Sequence, residues 1–260
     1  MAGDADIAST AALLGDRARA RIVAALGDGR ALAASVLACE AGVAASTASE
    51  HLARLVNGGL LTVERHGRHR YFRLAGPDVA RMLEAMARVS PPARVTSLRD
   101  GTRANALRTA RTCYDHLAGR VGTGLMAAMI SGDLIRGGDG VFDPSSARRD
   151  RLSSRGHDVT YELTADGRRV LHSLGVALAT SSRRPYVGYC VDWSEQRHHL
   201  SGAVGAALLD RMLDLAWIIR QPSGRAVWLS QRGQSGLEAH FGFAVDPGWV
   251  HRPTRARGAA

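Results

Sequence analysis

Apolar residues recur at helical spacing through Ala48, Leu52, Leu55 and Val56, while Ser46, Thr47, Glu50, Ala53, Arg54 and Asn57 fall on the opposite side. This pattern predicts an amphipathic helix with one buried stripe and a short, polar outer face. Gly58 and Gly59 end it, and the period then shortens to two: Leu60 to Val63 and Tyr71 to Leu74 read as strands around a turn at Gly67. Upstream, Ile7 to Leu14, Ala18 to Leu26 and Leu32 to Ala41 read as three helices, punctuated by Gly15, Gly27, Gly29 and Gly42. Gly42 stands where a tight turn between helices requires positive φ, with Leu37 and Val43 placed to pack the two helices together.

Three helices, a fourth with a polar face and then a hairpin is the order of a winged helix-turn-helix. In that arrangement Ser46, Thr47, Ser49, Glu50 and His51 approach base edges, and Arg54 lies on phosphate. The hairpin tip carries Arg65, His66, Arg68, His69 and Arg70, a density of positive charge suited to phosphate or the minor groove. The strings GDRARARIVAAL (15–26), Glu40-Ala41-Gly42-Val43, Ser46 to Leu52 and RHGRHRYF (65–72) resemble the ArsR/SmtB family of winged-helix repressors over residues 1 to about 90. The resemblance implies a homodimer, a palindromic operator in double-stranded DNA, and repression released by a small signal. Dimerisation is expected through Ile7 to Leu14 and Val79 to Val89, whose apolar residues exceed the needs of one small core. Many family members bind metal through a Cys-x-Cys on the scaffold helix, whereas here the sequence is Leu37-Ala38-Cys39-Glu40. The helix after the wing, Pro77 to Met86, has no histidine for the other usual metal site. Ala44 also stands where a Ser or Asp cap is usual, a loss of about 1 kcal/mol.

Composition changes this picture little. The 260 residues, 45% hydrophobic, suffice for two or three small cores; no apolar run approaches a membrane span, and Asp4 and Asp6 precede any apolar stretch, unlike a signal peptide. Three dispersed cysteines, Cys39, Cys113 and Cys190, argue against a disulfide framework and for a reduced, cytoplasmic location. The net charge of +10 suits a polyanionic partner, and all 34 cations are arginine. Abundant Ala, Gly and Arg point to a GC-rich coding sequence as the reason for the missing lysine. The excess charge is spread along the chain and concentrates only in the wing.

The domain reading places the DNA-binding module at 1–90, a linker at 91–109, one repeat at 110–185, a second at 186–243 and a disordered tail at 244–260. The linker opens on a Pro-Pro break and leads into a helix near Ala104. Beyond it, Cys113-Tyr114-Asp115-His116-Leu117-Ala118-Gly119 returns as Cys190-Val191-Asp192-Trp193 and, after an insertion, His199-Leu200-Ser201-Gly202. Each copy runs through a helix to an apolar end and then into Leu-Thr/Ser-x-x-Gly. The predicted fold is mainly α with small β-hairpins, its C-terminal region two degenerate winged-helix-like units. Their Gly- and Ala-rich helices suit close packing, and so a dimerising or signal-sensing region, better than a second DNA contact. Aromatics such as Tyr161, Trp217 and Trp228 belong to core or to an effector pocket.

Cys113, Asp115 and His116 in one copy and Cys190, Asp192, His198 and His199 in the other are ligand types that zinc or a related transition ion accepts, in one joint site or two. Thiol redox sensing is a rival use of Cys113 and Cys190. The bland alternative is that the aspartates cap helices, the histidines pack at helix starts and the cysteines are small hydrophobes. No cofactor follows with certainty. No enzyme is expected: there is no G-x-x-x-x-G-K, H-E-x-x-H or G-x-S-x-G string, and the lack of lysine excludes Schiff-base chemistry. The sequence therefore points to a dimeric transcriptional repressor answering a small-molecule or metal effector. A metal- or thiol-responsive regulator, and an architectural protein coating DNA without sequence preference, are the alternatives.

Overall fold

The computed structural model describes residues 4–27, 29–66, 69–91, 98–178, 185–221 and 224–251. The chain divides into two compact units, Met1–Ser90 with Pro222–Arg225, and Pro91–Gln221 with Ala226–Ala260.

In the first unit, α1 (Ile7–Leu14) and α2 (Arg17–Ala25) begin on aspartates. Asp6 accepts the Ser9 N–H and Asp16 the Arg19 N–H, satisfying donors that a helix start leaves orphaned. A short strand, β1 (Leu32–Ala33), leads into α3 (Ala34–Ala41). Gly42 then takes φ 72°, ψ 37°, the left-handed turn its sequence position demanded, and α4 (Ala45–Asn57) follows three residues later. The buried stripe of α4 is Ala48, Leu52 and Leu55, and the helix packs against α2 and α3, whose Ile22 and Leu37 are fully buried. Ala44 supplies no side-chain cap. The wing, β2 (Leu61–His66) and β3 (His69–Leu74), is longer than the hydrophobic pattern indicates, and β1 joins it in the order β1-β3-β2. Finally α5 (Pro77–Val89) begins on a proline at its first turn.

The second unit opens with α6 (Leu98–Thr109), so the stretch read as a linker is helical six residues before Ala104. Packing of α6 against α7 and β4 overrides its weak helical pattern. There follow the hairpin β4 (Arg111–Cys113) and β5 (His116–Ala118), α7 (Gly119–Ser131), β6 (Ile135–Arg136), β7 (Ser154–Arg155), β8 (Glu162–Leu163) and α8 (Ala165–Ser173). The later part holds β9 (Gly188–Val191), β10 (His198–Ser201), α9 (Gly202–Asp214), β11 (Ile218–Arg220), β12 (Val227–Leu229) and α10 (Gln231–Phe241). Strands pair as β4-β5, β6-β8, β10-β9-β7 and β11-β12.

The order hairpin, helix, two-stranded ladder, helix thus occurs twice. It is not the winged-helix order expected from the sequence, since in neither stretch do two helices joined by a short turn precede the ladder. What repeats is local chemistry. Thr164 and Ser230 each cap the following helix by accepting from Gly167 and Gly233 N–H at 3.0 Å, and each hydroxyl donates back to the carbonyl of Asp133 or Ala216. Gly167 and Gly233 permit backbone contact: a Cβ at either would lie 2.2 Å from the carbonyl oxygen of Leu134 or Trp217. The Leu-Thr/Ser-x-x-Gly signature is therefore a capped helix pressed onto a chain end. Tyr161, Tyr189 and Trp217 belong to the hydrophobic core. The segment read as a disordered tail also contributes: Val245 is buried, Pro247–Trp249 forms a 3-10 turn, and Val250 bridges Leu229. Residues 252–260 lie outside the described set.

Candidate nucleic-acid interface and Cys/His centre

With its apolar stripe committed to the scaffold, α4 turns Ser46, Thr47, Ser49, Glu50 and Arg54 to solvent. The Ser49 hydroxyl donates to the Ala45 carbonyl at 2.9 Å, leaving only its acceptor lone pairs for a ligand. His51 departs from expectation. Its side chain is 13% exposed and its Nε2 lies 3.9 Å from Asp16 Oδ1, so it faces the start of α2 rather than a groove. One helical residue beyond Glu50, about 100° round the helix, is enough to turn it inward.

Beside α4 the wing aligns Arg65 directly opposite Arg70, with His66 opposite His69 at its end. Arg65 and Arg70 are exposed, and Arg70 Cζ stands 6.0 Å above the Phe72 ring. Like charges paired across a ladder repel, and an anion between them relieves that repulsion. The exposed Arg73 instead meets Glu64 at 2.9 Å. Arg68 lies outside the described residues.

The second cluster is built by two hairpins. In β4–β5 Cys113 is the cross-strand partner of His116, and in β9–β10 Cys190 is the partner of His199. Residues two apart along a strand share a face, and directly opposed pairs sit side by side, so each hairpin presents a thiol next to an imidazole. Close approach of glycine brings the two together. A Cβ on Gly122 of α7 would meet Leu117 O at 2.5 Å and His199 Cβ at 3.7 Å; on Gly205 of α9 it would meet Leu200 O at 2.8 Å and His116 Cβ at 3.4 Å. Each helix thus rests on its own hairpin and faces the histidine of the other. The His116 and His199 rings stack with centroids 5.2 Å apart. Ligand atoms of Cys113, His116, Cys190 and His199 all fall within 4.8 Å of one another.

The remaining members of the predicted set do not join them. His198, next along β10, points to the opposite face, where its Nδ1 is 2.9 Å from the Tyr161 hydroxyl and its ring lies 4.3 Å from Tyr189. Asp115 Oδ1 lies behind the cluster, 3.2 Å from His116 Nδ1. Asp192 is fully buried. Its Oδ1 accepts from Arg111 Nη2 and the Ser194 hydroxyl, both at 2.8 Å, its Oδ2 accepts the Gly119 N–H at 2.8 Å, and that same oxygen lies 3.3 Å from His199 Nδ1. Asp192 thus accepts the first N–H of α7, the helix of the other hairpin, and does not cap α9, the helix of its own.

Arg111 is a member of this network that no sequence motif marks. It is 1% exposed, held by Asp192, the Leu107 carbonyl and Ser194, with its guanidinium 4.7 Å above Trp193. Nothing local distinguishes it from the chain's other arginines.

Charges across this cluster are strongly coupled. Burial opposes a charge on His116, but Cys113 and Asp115 outweigh it and push its pKa up to about 9. Burial likewise opposes charge on His199, which Asp192 and Cys113 raise. Burial pushes Asp192 upward, yet His199 and Arg111 hold it far below the usual carboxylate range.

An exposed, groove-sized helix flanked by an arginine-bearing ribbon defines the first unit as a DNA-binding module. A helix-turn-helix domain model matches residues 14–64. Over 242 residues the chain is 36% identical to YdfF of Bacillus subtilis (strain 168), described as an uncharacterized HTH-type transcriptional regulator, and the match spans 92% of this chain and 99% of that one. The homodimeric winged helix-turn-helix DNA-binding domain of Mb0332 from Mycobacterium bovis, described as a possible ArsR-family regulator, is 32% identical. It covers 34% of this chain and 87% of its own, with a TM-score of 0.29. The cadmium metal-sensor CMTR of Mycobacterium tuberculosis is 30% identical over 35% of this chain and 100% of its own, with a TM-score of 0.28. The chain belongs to the HTH-type transcriptional regulators, with its helix-turn-helix domain in the first unit. Among the described residues, no helix is long and apolar enough to cross a membrane.

Proposed function

We propose that this regulator acts as a homodimeric repressor of a palindromic operator, released by a signal received in the C-terminal unit. The observation that carries the reading is the exposed face of α4, with Ser46, Thr47, Glu50 and Arg54, beside the opposed Arg65 and Arg70 of the wing. Helix and ribbon together supply base contact and phosphate contact, the two components of specific binding. Dimerisation is supported by apolar side chains that the single chain leaves uncovered on the two expected helices: Ile7 of α1 is 76% exposed, Met86 and Val89 of α5 40% and 79%. The role of the C-terminal unit is supported by its separate core and by the buried Cys/His cluster inside it.

Footprinting on the DNA upstream of the protein's own gene, with sedimentation of the free protein, tests this. Protection of one short palindrome by a dimer supports the repressor reading. Uniform protection at saturating protein supports an architectural protein instead, and a monomer with one half-site protected removes the dimer.

A further inference from the structure

We infer that Cys113, His116, Cys190 and His199 form a closed, four-coordinate site for a divalent, thiophilic metal ion of the Zn²⁺ class, binding one ion per chain and fastening the two hairpins of the C-terminal unit together. The inference does not rest on the DNA reading, since every residue it uses lies in the second unit.

The first support is geometric. A tetrahedral centre with bonds of about 2.0–2.3 Å has ligand-to-ligand edges of roughly 3.3–3.8 Å. The four ligand atoms lie within 4.8 Å of one another, so a contraction of no more than about 1–1.5 Å at the widest pair closes them on an ion. Both hairpins are already anchored by their helices at Gly122 and Gly205, which limits the movement needed.

Unsatisfied polarity supplies an independent observation. His116 is 6% exposed and His199 2%, yet neither ring's Nε2 has a hydrogen-bond partner. Each such buried polar atom has lost its water without gaining a partner, which destabilises the fold. An ion accepting one lone pair from each ring offsets that cost.

A carboxylate stands behind each ring, Asp115 beside His116 Nδ1 and Asp192 beside His199 Nδ1. A carboxylate on Nδ1 fixes the tautomer that offers Nε2 to a metal. Asp192 is itself held by Arg111 and the Gly119 N–H, so the support extends one layer further.

Charge selects the ion. Two thiolates and two neutral imidazoles carry a charge of −2, which a divalent cation cancels, whereas a monovalent one leaves a net charge in a buried centre. Binding releases the thiol and imidazolium protons to solvent and involves no change of oxidation state. All four positions are filled by protein, so the ion has no open site for water and its role is to hold structure or to report its own presence.

The test uses the full-length chain, reduced and freed of metal, titrated with Co²⁺ and then with Zn²⁺. The expected result is one Co²⁺ per chain with the intense visible bands of tetrahedral coordination and thiolate-to-metal charge transfer, all abolished by one equivalent of Zn²⁺. Cys39→Ser, at an exposed thiol of the first unit, leaves spectrum and affinity unchanged. Cys113→Ser and Cys190→Ser each lower the charge-transfer intensity and weaken affinity more than about 100-fold, beyond the usual loss for an outer-shell change. An octahedral spectrum, no binding by the reduced wild type, or full charge transfer retained in both variants overturns the proposal. So does a reduced protein that binds no ion but readily forms a Cys113–Cys190 disulfide, which would make the pair a redox element. If a variant fails to fold, the stoichiometry and spectrum of the wild type decide the matter. DNA binding is measured separately, and its loss or retention leaves the metal result standing.

Discussion

Replacing Arg70 by alanine separates a role in DNA binding from a role in folding, because the two predict opposite signs. Arg70 is exposed and paired directly across the ladder from Arg65. Removing one of two opposed like charges leaves the free protein unchanged or stabilises it by a few tenths of a kcal/mol. On DNA the same change removes one phosphate contact per wing, and each contact contributes about 0.9 to the slope of log affinity against log salt. Between 50 and 200 mM salt, wild-type affinity should therefore fall about 3.5-fold more than that of the variant if one wing is engaged, and about 12-fold more if a dimer engages two. Fluorescence anisotropy on an operator duplex at four salt concentrations, with thermal melts of the free protein, reads both quantities. A variant that keeps the wild-type slope removes the wing from the interface. One that weakens binding only because its melting temperature has dropped shows that Arg70 supports the fold instead of gripping DNA.

Three other perturbations address separate layers. Thr47→Ala should lower discrimination at one operator position, where a mismatch ordinarily costs about 1–3 kcal/mol, and leave the salt slope alone; equal weakening on all sequences would place Thr47 off the bases. Gly122→Ala sets a methyl 2.5 Å from the Leu117 carbonyl oxygen, and overpacking of this kind costs about 1–3 kcal/mol in denaturant unfolding of the C-terminal unit, an effect disproved by wild-type stability. Asp192→Asn leaves Arg111 buried beside a neutral partner, and breaking such a pair costs roughly 3–5 kcal/mol; a loss under 1 kcal/mol would mean that the pair is dispensable.

The DNA-binding unit was largely legible because its determinants are local. A stripe at Ala48, Leu52 and Leu55 and a glycine at a left-handed turn each carry their meaning within a few residues. His51 was not legible, since its orientation depends on Asp16 of a different helix. The wing outran its hydrophobic pattern because backbone pairing continues through polar residues out to His66 and His69. In the second unit α6 and the stretch from Val245 to Val250 were hidden for a related reason: packing on α7 and β4 for the one, and burial of Val245 with the Val250–Leu229 bridge for the other, outweighed weak local preference and proline content. The Cys/His set was readable as residue types but not as an arrangement. Its first hairpin closes on Tyr114 at φ 57° and Asp115, with no glycine or asparagine to signal a two-residue turn, so nothing local marks Cys113 and His116 as a cross-strand pair.

The residues repeated within the second unit fall into two groups with different causes. Thr164 and Ser230, Gly167 and Gly233, and Gly122 and Gly205 are accounted for by caps and by backbone approach; each relieves a cost that the fold would otherwise carry. The Cys–His pairs do the reverse. A hairpin joining the same helices closes as well on apolar or Thr–Thr cross-strand pairs, which leave no buried ring nitrogen unsatisfied. In both copies the chain instead places an imidazole beside a thiol, buries it, and sets a carboxylate on its far nitrogen. Packing explains why the two hairpins meet and gives no reason for what they carry to the meeting point. A cation bound by all four side chains supplies that reason, because it satisfies the ring nitrogens, neutralises the thiolates and gives each carboxylate a tautomer to hold.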